Sequence, residues 1–91
     1  MYIPKLIGQF KKDFKLCIKR DYNMELIETA MRILCGTGTL PLKYLPHPLY
    51  GKYKGKWEAH LAPDWLLEWY KDETARIIYF VRTGTHTDLF K

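Results

Sequence analysis

Cysteine is scarce in this chain, which contains only Cys17 and Cys35 among its 91 residues. Neither residue lies in a CxxC pair or in another spacing typical of a metal site, and both fall in helix-like apolar patterns. This argues against a disulfide-stabilised secreted scaffold and against a cysteine-ligated zinc site. We therefore expect two reduced, buried thiols in a cytoplasmic protein.

Long apolar runs are also absent. No window is long and apolar enough to cross a membrane, and we expect no signal peptide at the start of the chain. Hydrophobic residues nevertheless make up 47% of the sequence, which is enough for a core. A chain of this size buries about 60–65% of its unfolded surface. We therefore expect one domain spanning residues 1–91.

Acidic residues are few relative to basic ones, since 10 Asp and Glu against 15 Lys and Arg give a net charge of +5. The imbalance is local: residues 37–56 contain four lysines and no acid, and residues 1–22 contain six cations and two aspartates. Cations clustered beside aromatic residues are typical of a surface that binds a polyanion, because each neutralised phosphate releases a counterion. The pattern favours nucleic-acid binding over a charge that serves solubility alone.

Hydrophobic periodicity predicts a short edge strand over residues 2–6 and two amphipathic helices over 8–22 and 24–36. The apolar stripes are Phe10, Phe14, Cys17 and Ile18 in the first helix, and Met24, Ile27, Met31 and Leu34 in the second. Asn23 is expected to cap the second helix and Gly36 to end it. Both stripes are expected to cover a sheet, although the first helix also fits a membrane-surface element. The chain as a whole predicts an α+β fold.

A loop rich in Gly and Pro follows over residues 37–51. Beyond it, alternation predicts a strand with one face formed by Lys52, Lys54, Lys56, Glu58 and His60, unless Gly55 introduces a bulge. A later strand over residues 76–82 places Arg76, Ile78, Phe80 and Arg82 on one face. Thr85 and Asp88 have the capping-box spacing, which predicts a last short helix with His86 in its first turn.

Residues 56–70 are predicted to form a hairpin that turns at Pro63 and Asp64. Its first strand would direct Trp57, Ala59 and Leu61 into the core, and Lys56, Glu58 and His60 to the other face. The carboxylate of Asp64, four residues past His60, can approach that imidazole. An ordinary half-exposed strand explains the same pattern, so the hairpin alone does not define a site.

The titratable residues His47, His60, Asp64 and His86 lie on a loop, a strand, a turn and a helix start, as in a site assembled from distant segments. A zinc site is one interpretation, but the tight HxH and HExxH spacings are absent. Acid–base cleavage of RNA is another: a base takes the 2′-hydroxyl proton, an acid protonates the departing 5′-oxygen, and Arg82 stabilises the phosphorane. The third interpretation is that the three histidines are unconnected surface residues.

Three segments resemble the YafQ branch of the RelE family of bacterial toxins. They are His47-Pro-Leu-Tyr-Gly-Lys-Tyr-Lys-Gly55, Ala59-His-Leu-Ala-Pro-Asp-Trp65 and Arg82-Thr-Gly-Thr-His-Thr-Asp-Leu-Phe90. The resemblance covers about residues 40–90 and keeps the order of all three segments. It implies a strand and helical hairpin packed on a mainly antiparallel sheet, with a short C-terminal helix. It also implies a type II toxin that cuts mRNA in the ribosomal A site.

Carried over to this chain, the resemblance implies the catalytic set His47, His60, Asp64 and His86. It implies that RNA is contacted by Lys52, Lys54, Lys56, Trp65, Arg82 and Phe90. No metal or other cofactor is expected, and the expected partners are mRNA, the ribosome and a cognate antitoxin, with no membrane. Three features depart from the family pattern: Pro46, where relatives often have an acid; a slightly long hairpin around residues 72–75; and Glu68, within an apolar strand.

Two other functions fit the same residues. A ribonuclease could cut single-stranded RNA without the ribosome, and a non-catalytic RNA-binding or repressor domain could use the same basic surface. A binding module needs Lys, Arg and aromatic residues but has no use for three histidines and an aspartate in one cleft. We therefore expect a ribosome-dependent endoribonuclease toxin. Its codon preference, its antitoxin and the identity of its general base do not follow from the sequence.

Overall fold

A computed structural model describes residues 1–90. In chain order its helices and strands are β1 (Ile3–Leu6), α1 (Gly8–Lys19), α2 (Met24–Thr37), β2 (His47–Pro48), β3 (Trp57–Ala62), β4 (Trp65–Asp72), β5 (Ile77–Gly84) and α3 (His86–Phe90). The sheet order is β1-β5-β4-β3-β2; β1 pairs with β5 in parallel, and the other neighbours are antiparallel. This confirms the predicted α+β architecture. Within these residues, no helix is long and apolar enough to cross a membrane.

The core lies between the sheet and helices α1 and α2. Phe10 in α1, Ile27 and Leu34 in α2, and Leu67 and Phe80 in the sheet are all 0% exposed. The rings of Phe10 and Phe80 meet with their centroids 5.7 Å apart. Each such buried side chain contributes about 1.5–3 kcal/mol to folding. Apolar burial therefore holds the helical hairpin against the sheet, as the two predicted stripes require.

Helix α1 is shorter than predicted, because it ends at Lys19 rather than at Tyr22. Asp21 takes a φ of 62°, a left-handed conformation that a right-handed helix cannot continue. The prediction that Ile18 belongs to the buried stripe is wrong, since this residue is 54% exposed. The buried face instead includes Asp13, which is 7% exposed.

Helix α2 begins at the predicted cap, where the Asn23 side chain accepts a hydrogen bond from the backbone N–H of Glu25 at 3.2 Å. The prediction that Gly36 ends this helix is wrong, because the helix continues through Thr37. The left-handed cap is Gly38, with a φ of 84°. A Cβ atom on Gly38 would also lie 2.8 Å from the Tyr2 ring, so both conformation and space select glycine.

Both cysteines are free thiols, as predicted. Cys17 is buried, whereas Cys35 is only half-buried. Burial raises the pKa of both thiols. Neither has the lowered pKa that an activated nucleophile needs at neutral pH.

Strand β3 follows the predicted alternation only in part. Ala59 and Leu61 lie in the core as expected. Trp57, predicted to be buried, is 41% exposed, because it is the first residue of the strand. Glu58, predicted on the open face, is only 5% exposed. Strands β2 and β4 flank Glu58 on both sides, and the His47 ring contacts its carboxylate.

The predicted strand alternation of Lys52, Lys54 and Lys56 with Glu58 and His60 is wrong. Residues 51–53 form a single 3₁₀ turn, and Gly55 takes a φ of 95°. Strand β3 begins only at Trp57. Gly55 therefore belongs to a turn rather than to a bulge, and the three lysines lie on the segment that leads into β3.

Strand β5 contains a register shift near its middle. Trp69 of β4 pairs with Phe80, whereas the preceding Glu68 pairs with Arg82, which leaves Val81 as an extra residue. Arg82 therefore does not share the face of Phe80, and the prediction of a common face is wrong. The shift places Arg82 directly across from Glu68.

Two predicted local features bring the ends of β3 and β5 into position. The β3–β4 hairpin turns at Pro63 and Asp64. Helix α3 begins with the predicted capping box: the backbone N–H of Thr85 donates to Asp88 Oδ2 at 2.9 Å, and that of Asp88 donates to Thr85 Oγ1 at 3.1 Å.

Candidate active site

Three histidine rings lie next to one another at one end of the sheet. His47 is on β2, His60 is on β3, and His86 is the first residue of α3. The ring centroids of His47 and His60 are 6.3 Å apart, and those of His60 and His86 are 5.8 Å apart. The fold thus brings together histidines that are far apart in sequence, with His60 in the middle of the row.

Asp64 binds the histidine at one end of this row. Its Oδ1 accepts a hydrogen bond from the backbone N–H of His86 at 3.0 Å and lies 2.6 Å from the ring Nδ1. These backbone and side-chain hydrogen bonds lower the pKa of Asp64 from its usual value. Asp64 is therefore an anion at neutral pH, which places a proton on Nδ1 and leaves Nε2 available for proton transfer.

His47, at the other end, has an acceptor at each ring nitrogen. Its Nδ1 lies 3.0 Å from the carbonyl oxygen of Leu45, and its Nε2 lies 3.1 Å from Glu58 Oε1. A protonated ring satisfies both acceptors, whereas a neutral ring satisfies only one unless Glu58 carries the proton. His47 and Glu58 thus form a contact between a half-exposed imidazole and a buried carboxyl group.

Helix α3 is fixed to the end of α1 by an ion pair. Both terminal nitrogens of Arg20 donate to Asp88, at 2.6 and 3.2 Å. The hydrogen bond from Arg20 lowers the pKa of Asp88, and the same contact raises that of Arg20. A five-residue helix is too short to be stable alone. These contacts therefore determine where α3 presents His86 and Phe90.

Arg82, the predicted phosphate contact, is paired inside the protein. Its Nε donates to Asp13 Oδ2 at 2.7 Å, and its Nη2 donates to Asp13 Oδ1 at 3.3 Å. The hydrogen bond to Asp13 raises the pKa of Arg82. Asp13 also accepts from the backbone N–H of Thr83 at 3.1 Å. The Arg82 side chain, which is 28% exposed, thus ties β5 to α1, and its contact with a phosphate stays a prediction.

Trp65 lies in the core, where it cannot stack on RNA. Trp65 is 4% exposed, and its indole N–H donates a hydrogen bond to Thr83 Oγ1 at 2.9 Å. The Tyr22 ring packs edge-on against it, with centroids 4.8 Å apart. The predicted RNA contact of Trp65 is therefore wrong, because the residue is part of the support beneath the β3–β4 turn.

Phe90 lies in an aromatic and basic cluster at the end of α3. Its ring meets that of Tyr53 edge-on, with centroids 5.5 Å apart. The ammonium groups of Lys52 and Lys56 lie 5.2 and 5.7 Å from the centre of the Tyr53 ring. Lys54, on the same segment, is exposed. The structure thus places Lys52 and Lys56 against Tyr53, which packs on Phe90, and adds Tyr53 to the predicted residues.

A comparison with protein families matches residues 2–91 to a model described as a bacterial toxin of type II toxin–antitoxin system, YafQ. The chain belongs to the YafQ family.

The relatives agree in sequence and in structure. The mRNA interferase toxin YafQ of Escherichia coli K12 is 45% identical over 84 residues, which cover 91% of this chain and 89% of the relative. The crystal structure of YafQ from E. coli BL21(DE3) matches with a TM-score of 0.91 and 37% identity over 100% of both chains. A crystal structure of the E. coli DinJ-YafQ toxin-antitoxin complex matches with a TM-score of 0.88 and 38% identity, over 99% of this chain and 98% of that one.

Sequence analysis missed three residues that shape this YafQ-family site: Glu58, which holds His47; Tyr53, which packs on Phe90; and Asp13, which pairs with Arg82. The lysines on both sides of Tyr53 were a usable signal for that residue. Glu58 shared a predicted face with His60, but its contact with His47 and the pairing of Asp13 with Arg82 depend on long-range contacts that the sequence does not reveal. Within residues 1–90, no group of three or more His, Cys, Asp or Glu side chains has a metal-binding arrangement.

Proposed function

We propose that this chain is a ribosome-dependent mRNA interferase toxin that cleaves mRNA in the ribosomal A site. The observation that supports this most directly is the row of three histidines with Asp64 at one end, since cleavage of RNA through its 2′-hydroxyl requires paired acid and base groups. Family membership supports the same activity, because the E. coli relative is an mRNA interferase toxin.

In the proposed mechanism, His60 is the base and His86 is the acid. His60 lies between the other two histidines, and its Nδ1 is buried without a hydrogen-bond partner among residues 1–90. Its Nε2 is thus the nitrogen that would take the 2′-hydroxyl proton. The 2′-oxygen attacks phosphorus as the bond to the 5′-oxygen breaks, and His86 protonates that oxygen. The products are a 2′,3′-cyclic phosphate and a 5′-hydroxyl.

Charge develops on the phosphoryl oxygens during this reaction. In this proposal His47, held by Glu58, contributes a positive charge at one end of the row. Asp64 keeps the His86 ring oriented and its Nδ1 protonated. The steps require no metal ion.

The cluster formed by Tyr53, Phe90, Lys52, Lys54 and Lys56 is the proposed RNA-holding surface. The lysines supply charge for the phosphate backbone, and the two aromatic rings supply a platform on which a base can stack. Because the cluster includes Phe90 of α3, it adjoins the proposed acid. RNA held there would cross the row of histidines.

We further propose that an antitoxin covers this surface. One E. coli relative is seen in a structure described as a toxin-antitoxin complex. The basic segment formed by Lys52, Lys54 and Lys56 favours an acidic segment of the partner, because opposite potentials speed and orient docking.

The proposed function is tested by incubating a defined mRNA with the purified chain, with and without translating ribosomes, and mapping the new 5′ ends. We expect rapid cleavage at the A-site codon with ribosomes and weak cleavage of free mRNA, because the ribosome would position the message for attack. Ribosomes whose A site is filled by tRNA serve as the control. Equal rates on free mRNA would refute ribosome dependence, and no cleavage in either reaction would refute the nuclease.

Replacing Phe90 with alanine is expected to weaken binding of the programmed ribosome and slow cleavage together. Base stacking on an aromatic ring contributes about 1–3 kcal/mol, and Phe90 is 38% exposed. Tyr50→Ala is a matched control, since Tyr50 is an aromatic residue that is 78% exposed in the loop before residues 51–53. Affinity measured by filter binding should fall for Phe90→Ala only. Normal affinity with slow cleavage would instead assign Phe90 to orienting the chemistry.

A further inference from the structure

A pair of buried carboxyl groups lies beside His47 on the sheet. Glu58 on β3 pairs in register with Glu68 on β4, and these residues are 5% and 2% exposed. Side chains directly opposite on antiparallel strands have Cβ atoms about 4.5–5.5 Å apart. The same line of paired residues continues to His47 beyond Glu58 and to Arg82 beyond Glu68. Glu68, in the middle of an apolar strand, thus adjoins Glu58, the residue that holds His47.

The two carboxyl groups have different partners. Glu58 Oε1 contacts His47 Nε2 at 3.1 Å, which stabilises the Glu58 carboxylate. Within residues 1–90, Glu68 forms no ion pair of its own, because the Arg82 guanidinium is bound to Asp13. Two adjacent buried carboxylates repel each other, which favours retention of a proton on one of them. Because Glu58 contacts His47 and Glu68 has no ion-pair partner among residues 1–90, the contacts favour Glu68 as that residue.

The surrounding charges lead to the same assignment. Burial raises the pKa of Glu68, and the negative charge of Glu58 raises it further. Lys56 and Arg82 act in the opposite direction, and Asp13 adds a smaller rise. Glu58 Oε2 is buried and has no hydrogen-bond partner among residues 1–90. Glu68, directly across from Glu58 on β4, would be the donor for that oxygen when it is protonated.

We propose that Glu68 is a positioning residue, which shares a proton with Glu58 and so keeps the Glu58 carboxylate directed at His47. The proposed proton sharing rests on the pairing of the two strands, whereas its effect on catalysis rests on the proposed function. When Glu68 ionises, its negative charge repels the Glu58 carboxylate and weakens the placement of that carboxylate against His47.

The proton sharing is tested by NMR on the intact chain, without any measurement of activity. With ¹³C-labelled glutamate carboxyl groups, we expect the Glu68 carbon to titrate above the ordinary glutamate range. The His47 ring signals should show an inflection at that same pH, which Glu68→Gln should remove. Glu28→Gln, on the exposed surface of α2, is the control. A Glu68 that titrates in the ordinary range, or a His47 signal without this inflection, would overturn the proposal.

Stability gives a second readout with a defined sign. The folded state binds the Glu68 proton more tightly than the unfolded state, so the free energy of unfolding should fall as the pH rises from the ordinary glutamate range through the raised Glu68 pKa. Urea unfolding of Glu68→Gln should lack this fall. An unchanged slope in the variant would show that Glu68 does not hold the proton.

Catalysis separates positioning from packing. Glu68→Leu keeps an apolar, well-filled strand but removes the donor to Glu58, and should lower kcat on the order of 10-fold to 10²-fold with KM unchanged. Glu68→Gln, whose amide can still donate, should retain more of kcat than the leucine variant and lose the alkaline inflection of the kcat profile. Equal losses in both variants, without a change in the pH profile, would mean that Glu68 serves packing only. If the NMR result holds but neither variant alters cleavage, the pair exists and its catalytic role is refuted.

Discussion

Replacing His86 with alanine is expected to slow mRNA cleavage by about 10²–10⁴-fold, the usual contribution of a general acid or base. The Asp64 carboxylate lies 2.6 Å from His86 Nδ1, so the Nε2 proton is the one directed to the leaving 5′-oxygen. Binding to ribosomes and to an antitoxin should persist. The backbone N–H of residue 86, which also donates a hydrogen bond to Asp64, is still present in the alanine variant. Single-turnover cleavage on programmed ribosomes measures the rate, and filter binding measures the affinity.

Thr87→Ala is a matched control for this variant, since Thr87 is the next residue of α3 and is exposed. A substrate with a 5′-thio leaving group provides a sharper test, because a thiolate leaves without protonation. His86→Ala should recover much of its rate on that substrate. If the variant remains equally slow there, His86 is not the acid, and His47 or His60 takes that role.

The parts of the fold that follow from local chemistry were predicted correctly. Asn23 caps α2 and the capping box of Thr85 and Asp88 begins α3, because each involves residues two or three positions apart. The turn at Pro63 and Asp64 follows from the same kind of short-range preference. The end of α2 was misplaced at Gly36, because the requirement for Gly38 comes in part from Tyr2, far away in the sequence.

Burial of charged residues could not be predicted, because it depends on which strand lies alongside. Glu58 fits an exposed position in the alternation of β3, but β2 and β4 enclose it. Glu68 interrupts an apolar pattern in β4. The reason for this interruption becomes visible only in the structure, where Glu68 lies beside Glu58. The bulge at Val81, which moves Arg82 to the face opposite Phe80, has no local signature either.

The histidines were easier to identify than their supports. His47, His60 and His86 stand out by residue type. The sequence also shows the turn that contains Asp64 and the start of the helix that contains His86. The contacts that hold them come from Leu45, Glu58 and Asp64, and sequence reasoning suggested only the last. Trp65 shows the opposite error, since an aromatic residue beside the site was assigned to RNA although its indole anchors Thr83 in the core.

Replacing Asp13 with alanine is expected to destabilise the protein by about 3 kcal/mol, near the lower end of the range for breaking a buried ion pair. The carboxylate accepts from Arg82 Nε at 2.7 Å, from the Thr83 backbone N–H at 3.1 Å and from Gln9 Nε2 at 3.0 Å. Without it, the guanidinium of Arg82, whose side chain is only 28% exposed, and the buried backbone N–H of Thr83 lose this acceptor. Denaturant unfolding followed by circular dichroism measures the change.

Gln9→Ala is the control for this variant, because it removes one of the hydrogen bonds to Asp13 and should cost about 1 kcal/mol. Asp13→Asn should fall between the two, since the amide oxygen can accept from Arg82 but carries no charge. The same order should appear in cleavage rates, because Thr83 and Gly84 lead directly into α3 and its His86. An Asp13→Ala variant as stable as Gln9→Ala would show that water replaces the carboxylate at Arg82. The connection from α1 to the site would then run through Arg20 and Asp88 alone.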